Sequence, residues 1–156
     1  MTTKVEVSEA QLAEKSVLRN LMELYLHDFS EFQPRDLNAD GLFGYRYLDH
    51  YWTEPDRRPY LIRADGKLAG FALVRTDGSR SSVAEFFVVR RYRRTGVGRA
   101  AIAALVEQWA GDWEVEVVAE NTGGLAFWRS ALNRWGPSFE PASEDGQHPH
   151  LFRFST

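Results

Sequence analysis

The sequence predicts an α/β (α+β) domain built on a mixed sheet, and three observations carry that expectation. First, Leu18, Leu21, Met22, Tyr25 and Phe29 recur at three- and four-residue steps, giving one apolar stripe on a helix that runs to about Phe29. Second, three β-prone runs at 60–64, 67–75 and 82–89 follow one another across the turn signals Asp65-Gly66 and Thr76-Asp77-Gly78-Ser79, which makes an antiparallel meander. Third, a helix over 98–110 and a strand over 114–119 follow the meander, and a strand–helix–strand unit needs a parallel crossover.

The remaining elements fit around these. Lys4–Val7 is a short β-prone start, with Ser8 as the helix cap and Gln11 at the capping-box position. Pro34 closes the first helical region. Asp36-Leu37-Asn38-Ala39-Asp40-Gly41 matches half of a calcium loop. Its twelfth position is Tyr47, where a bidentate Glu is needed, so a polar loop with an Asx turn is the reading. The aromatic stretch 42–52 is expected to be partly helical. In the helix over 98–110, Ile102, Leu105, Val106 and Trp109 share a face, and Gly111-Asp112 closes it. In the next strand Val115 and Val117 face one way, Glu114 and Glu116 the other. A short helix from Gly124 to about Arg134 follows, then strands at 138–141 and 150–154.

Composition narrows the function. A chain of 156 residues suits a single domain over 1–156, and 44% hydrophobic residues supply its core. No run approaches the ~20 apolar residues of a membrane span, and the N-terminus has no apolar secretory region, so a cytoplasmic protein without a membrane partner is expected. The chain has no cysteine, which removes disulfides, a thiol nucleophile and thiolate metal sites. No H-E-x-x-H pattern occurs among His27, His50, His148 and His150, and no metal is expected. Nineteen basic against 22 acidic side chains, a net charge of −3, is the opposite bias to that of a nucleic-acid binder.

One segment departs from that balance. Arg90, Arg91, Arg93, Arg94 and Arg99 flank Gly96 and Gly98 where a strand turns into a helix. The first amides of a helix have no intrahelical acceptor and sit at the positive end of its dipole, so such a turn binds phosphate or pyrophosphate. A helix N-terminus with a solvated basic face is the plainer alternative. No Gly-Lys-[Ser/Thr] is present, which excludes a P-loop. Gly96-Val97-Gly98 is followed by Arg99-Ala100-Ala101 after a meander, which argues against a dinucleotide fingerprint.

The remaining pattern, R-x-x-G-x-G from Arg93 to Gly98 after Phe86-Phe87-Val88-Val89, resembles the coenzyme-A motif of the GNAT superfamily of N-acetyltransferases. Asn121 followed by Phe127 and Trp128 resembles the family's segment after the fifth strand. The resemblance covers roughly residues 58–136, and the chain is similar to uncharacterised bacterial acetyltransferases. It implies a GNAT-type, mostly antiparallel sheet of six to seven strands with about four helices and splayed fourth and fifth strands. It also implies acetyl-CoA as co-substrate. The arm would lie along Phe87, Val88 and Val89. The pyrophosphate would meet the loop Arg93, Arg94, Thr95, Gly96, Val97, Gly98 and Arg99. Asn121, Phe127 and Trp128 would lie beside the arm and thioester.

The implied reaction is direct acetyl transfer from the thioester to a primary amine, on a small molecule or a protein. An ammonium cannot attack, so a base is required. Glu85 is the first candidate because it is the one ionisable residue in the run 83–89, and a carboxylate among Phe side chains tends to a raised pKa. Glu116 is the second. The family's frequent general acid, a Tyr seven residues after the Asn, is Trp128 here, and an indole cannot supply that proton. Tyr92, Tyr45, Tyr47, Tyr51 and His50 are candidate substitutes, with Tyr92 first among them. The acceptor is expected to meet residues near 27–56 and 140–151, with Tyr45, His50 and Trp52 as candidates, because aromatic faces suit a cationic amine. The loss of the Tyr leaves open a second reading, a catalytically weak or inactive module that senses acyl-CoA. Exposed aromatics and a free sheet edge suit a homodimer.

Overall fold

A computed structural model describes residues 2–156 of the chain. Seven strands form one sheet: β1 (Val5–Glu9), β2 (Arg57–Ala64), β3 (Lys67–Thr76), β4 (Arg80–Val88), β5 (Asp112–Val117), β6 (Ser138–Glu140) and β7 (His150–Ser155). Their spatial order is β1-β2-β3-β4-β5-β7-β6. Only β4 and β5 run parallel, and every other neighbouring pair is antiparallel. Four helices flank the sheet: α1 (Lys15–Phe29), α2 (His50–Thr53), α3 (Val97–Val106) and α4 (Thr122–Ala131).

Alternation along the strands sorts the core into two faces. Leu61, Phe71, Leu73 and Phe87 pack against Leu18, Met22 and Leu26 of α1. Tyr60, Ala72, Val74, Val115 and Val117 pack with Ile102 and Leu105 of α3 and Trp128 of α4. The β2–β3 hairpin turns at Asp65 (φ 49°) and Gly66 (φ 80°), and the two left-handed residues make the turn expected from that dipeptide. At Gly70 on β3 a Cβ would lie 1.9 Å from the Phe87 carbonyl oxygen, so only glycine lets the two strands approach there.

Several elements differ from expectation. Ser8 and Glu9 belong to β1 rather than capping α1. Glu14 instead reaches back to the Gln11 amide at 3.0 Å, and a 3-10 turn at Leu12–Glu14 leads into the helix. Only His50–Thr53 of the 42–52 stretch is helical. Asn38 makes the expected Asx turn, accepting from the amides of Asp40 and Leu42. Helix α3 ends at Val106, short of Ala110. The Trp109 indole N–H donates to Tyr60 Oη (2.8 Å) and the Trp109 carbonyl accepts from the Trp113 indole (2.9 Å), which holds this stretch as a turn. Helix α4 starts at Thr122, two residues early, because Asn121 caps it. Among the described residues no helix is long and apolar enough to cross a membrane.

The parallel ladder is short. It joins Arg80–Val83 to Asp112–Val115 and goes no further. A register shift on β4 falls between Val83 and Glu85, opposite Leu73 and Val74. Beyond it the two strands part.

Candidate active site

The parting of β4 and β5 opens a cleft of about 500 Å³. Its walls are residues 82–86 of β4, 114–118 of β5 and their sequel, Tyr25 and Phe29 of α1, and Asn121 and Trp128 at α4. Because the Val89 amide donates to the Ala69 carbonyl (2.8 Å), strand alternation turns the amides of Phe86 and Val88 the other way, toward the gap. These groups are unpaired with β5, whose ladder has already ended.

Glu85 sits at the floor of this cleft. Its Oε2 accepts from the Tyr25 phenol and its Oε1 from the Tyr45 phenol at 3.4 Å. Burial raises its pKa above the ordinary 4.5, and the two phenols and the charge of Arg35 oppose that rise. Burial and the neighbouring carboxylate in turn raise both phenols, so they stay protonated as donors. Tyr25 is locked by ring contacts with Phe71 and Phe87 at 5.6 and 5.8 Å. A half-buried carboxyl group between two phenols, beside an open gap, can accept and release a proton.

The glycine turn lies at the near end of α3. Arg94 (φ 58°) and Gly96 (φ 89°) are both left-handed. The first helical bond runs from the Ala100 amide to the Gly96 carbonyl, so the amides of Val97, Gly98 and Arg99 open the helix without an intrahelical acceptor. The arginines beside them are partly committed. Arg93 Nε donates to the Val88 carbonyl (2.8 Å), and its guanidinium and that of Arg90 both hold Asp28 (2.5 and 2.9 Å). Arg99 bonds to Ser130 and Arg91 lies over Tyr92. Thr95 turns its hydroxyl to the Tyr92 carbonyl. Arg94 has no ion-pair partner among the described residues. The patch is therefore less positive than five bare arginines would make it.

Phe127 joins the turn to the cleft. It stacks on Phe86 at 5.5 Å, and its ring edge would be 2.8 Å from a Cβ on Gly98. Trp128 is buried against Phe86 and Phe127 and lines the cleft. Asn121 Oδ1 accepts from the Gly124 amide (2.8 Å), which commits that oxygen to capping α4.

The candidate residues are thus not all brought together. Glu85, Glu116, Tyr45, Asn121 and Trp128 line the cleft. Glu116 is exposed on β5. Tyr92 does not reach the cleft. It packs beside Val88 and Val97 instead, since the 3-10 turn Arg90–Tyr92 carries it away from Glu85. Trp52 donates its indole N–H to the Ala10 carbonyl (3.0 Å), and His50 lies beside Tyr47 and Glu54. Neither lines the cleft, because each is held by neighbours of its own. Two cleft residues had no distinguishing signal in the sequence: Tyr25 occupies an ordinary apolar-stripe position, and Arg35 an unpatterned loop. Among the described residues no group of three or more His, Asp or Glu side chains could hold a metal ion.

A larger hollow of about 790 Å³ lies where the parallel ladder is closed. Two of its arginines are held in ion pairs, Arg75 by Asp56 and Arg153 by Glu114, each at 3.2 Å. None of its carboxylates is held between two phenols as Glu85 is.

A splayed parallel pair, a glycine turn opening the crossover helix and a half-buried carboxylate at the gap define an acyltransferase of the GNAT type. The family model "Acetyltransferase (GNAT) family" matches residues 18–132, and the chain belongs to that family. No curated protein matches in sequence. Among solved structures, the chain is similar to an acetyltransferase from Thermus thermophilus, with a TM-score of 0.75 at 13% identity over 98% of this chain and 97% of that one. It is also similar to the ribosomal-protein-S18-alanine N-acetyltransferase of Escherichia coli (TM-score 0.61, 16% identity, 96% and 91% covered). A third is the PaiA N-acetyltransferase of Thermoplasma acidophilum, solved in complex with coenzyme A (TM-score 0.64, 10% identity, 98% and 99% covered). At these identities the likeness is one of fold.

Proposed function

We propose that the chain, acting as one domain, transfers an acetyl group from acetyl-CoA directly to a primary amine, with Glu85 as the base. The observation that carries this reading is the half-buried Glu85 carboxylate at the point where β4 and β5 part. The features of the site fit acetyl-CoA. The unpaired amides of Phe86 and Val88 suit the pantetheine arm, and the amides of Val97, Gly98 and Arg99 suit its pyrophosphate. Bound there, the co-substrate supplies an electrophilic thioester carbonyl.

The chain's own groups do the rest. Glu85 takes a proton from the acceptor ammonium, which frees the nitrogen lone pair. The Val88 amide is the candidate donor toward negative charge developing on the carbonyl oxygen. Phe86, Phe127 and Trp128 form an apolar wall that excludes water from the thioester. The carbonyl–sulfur bond would break as the carbon–nitrogen bond forms, and the coenzyme A would leave as its thiolate; Trp128 offers it no transferable proton, and the Tyr25 and Tyr45 phenols are committed to Glu85.

Calorimetric titration with acetyl-CoA tests the binding half, and thiol release across a panel of primary amines tests the transfer half. Binding with amine-dependent release is the expected result. Tight binding with no release from any amine would favour the sensing module.

A further inference from the structure

The charged side chains that line the cleft fall into two groups. Arg75 is held by Asp56, Glu114 is held by Arg153, and Glu85 accepts from two phenols. Two remain without an ion-pair or hydrogen-bond partner among the described residues, and they have opposite signs. Arg35 is exposed on the loop that follows α1, and Glu116 is exposed on β5. They do not pair with each other.

We propose that Arg35 receives a carboxylate of the acceptor, so that the amine acetylated in this cleft belongs to a free amino acid. The inference rests on the acetyl-transfer reading and narrows its acceptor. A guanidinium presents a planar fork that matches a carboxylate with two parallel hydrogen bonds. A primary ammonium is drawn to carboxylates, and Glu85 and Glu116 supply them on the strands that bound the gap. A ligand with both charges on one small frame meets Arg35 at one end and Glu85 at the other. Arg35 and Glu85 line the same cleft, so one ligand lying in it faces both. Tyr25, Phe29 and Tyr45 leave an aromatic wall for the rest of the molecule. A simple amine would leave Arg35 unanswered. A protein N-terminus has its α-carboxyl consumed in a peptide bond.

The test uses calorimetry on the full chain saturated with coenzyme A. The ligands are glycine, methionine, phenylalanine and glutamate, each with its α-amide, its decarboxylated amine and a dipeptide that begins with the same residue. At least one free amino acid should bind the wild type on the order of tenfold or more tighter than its amide and its amine. That ratio should fall toward one in Arg35→Met and invert in Arg35→Glu. Arg35 is exposed, so neither variant removes a core contact. If every amide or amine binds as well as its acid, if the ratio survives in both variants, or if the dipeptides are preferred, the inference fails. Thiol release on the same ligands with acetyl-CoA reports separately on transfer. Silence there with every ligand defeats the proposed reaction, while the calorimetric ratio still decides the role of Arg35.

Discussion

The phenol of Tyr25 on α1 donates to Oε2 of Glu85 on β4, sixty residues away in sequence. This bond fixes the helix against the strand at the point where the sheet opens. Together with Tyr45 on the other oxygen, it gives the carboxylate one orientation in the cleft.

Replacing Glu85 with Gln keeps the shape and removes the proton acceptor. The expected outcome is a fall in kcat/KM on the order of a hundredfold or more, the usual scale for a lost general base. The dissociation constant for acetyl-CoA should stay within about twofold, since the backbone amides assigned to that ligand are untouched. Steady-state thiol release and calorimetry on the same preparation check both halves.

Tyr25→Phe tests the phenol by pH. Burial lifts Glu85 above its ordinary value, and the phenols pull it back down. Losing one donor leaves burial less opposed, so the acid limb of kcat/KM should move to higher pH. The same group bears on stability. Its folded-state pKa lies above the unfolded one, so its contribution is fullest below the unfolded value and is lost as pH rises through the folded one. Glu85→Gln should therefore gain stability relative to wild type between acid and neutral pH, read from urea midpoints. An unmoved acid limb in Tyr25→Phe would show that the phenol does not tune the base.

Asp28 gives the opposite sign. Burial raises its carboxyl, but the hydrogen bonds from Arg93 and Arg90 outweigh that and hold it below the ordinary 3.8. Its contribution is present above the unfolded value and lost as pH falls through the folded one. Asp28→Asn should cost about 1 kcal/mol at pH 7, and the difference should vanish in strong acid. Because Arg93 also braces the Val88 carbonyl, the variant should weaken acetyl-CoA binding several-fold.

Two glycines should respond differently to alanine. At Gly70 the new methyl would meet the Phe87 carbonyl at 1.9 Å, and neither β3 nor β4 can give way without losing pairs. A loss of about 3 kcal/mol or more is expected in chemical denaturation. At Gly98 the obstacle is the Phe127 ring edge at 2.8 Å, the far end of a side chain that can swing. Gly98→Ala should cost about 1 kcal/mol in stability, while acetyl-CoA binding drops because Phe127 leaves Phe86.

Much of the fold was legible because its signals are local. Asp65-Gly66 dictates its own turn, and the β-prone 82–89 run falls largely within β4 (Arg80–Val88). Glu85 stood out as a lone charge in an apolar run, and Arg93 to Gly98 as a glycine turn before a helix. The cleft's other residues are brought in by tertiary packing, which leaves no periodic trace. A phenol at Tyr25 and a leucine there would read alike, and Arg35 follows a proline in a loop without pattern. Tyr92, His50 and Trp52 lie outside the cleft for the converse reason. Their chemistry is suitable, but neighbours hold them elsewhere.

The β4–β5 ladder ends after four rungs, at Val83 and Val115. In the plane of the sheet, that short stitch alone fastens a slab of four strands to a slab of three. A molecule laid along the exposed rim of β4 would act as a missing thread and brace the seam. Deuterium should therefore enter the amides of Phe86 and Val88 quickly in the free protein and slowly once the seam is filled, with a matching rise in melting temperature.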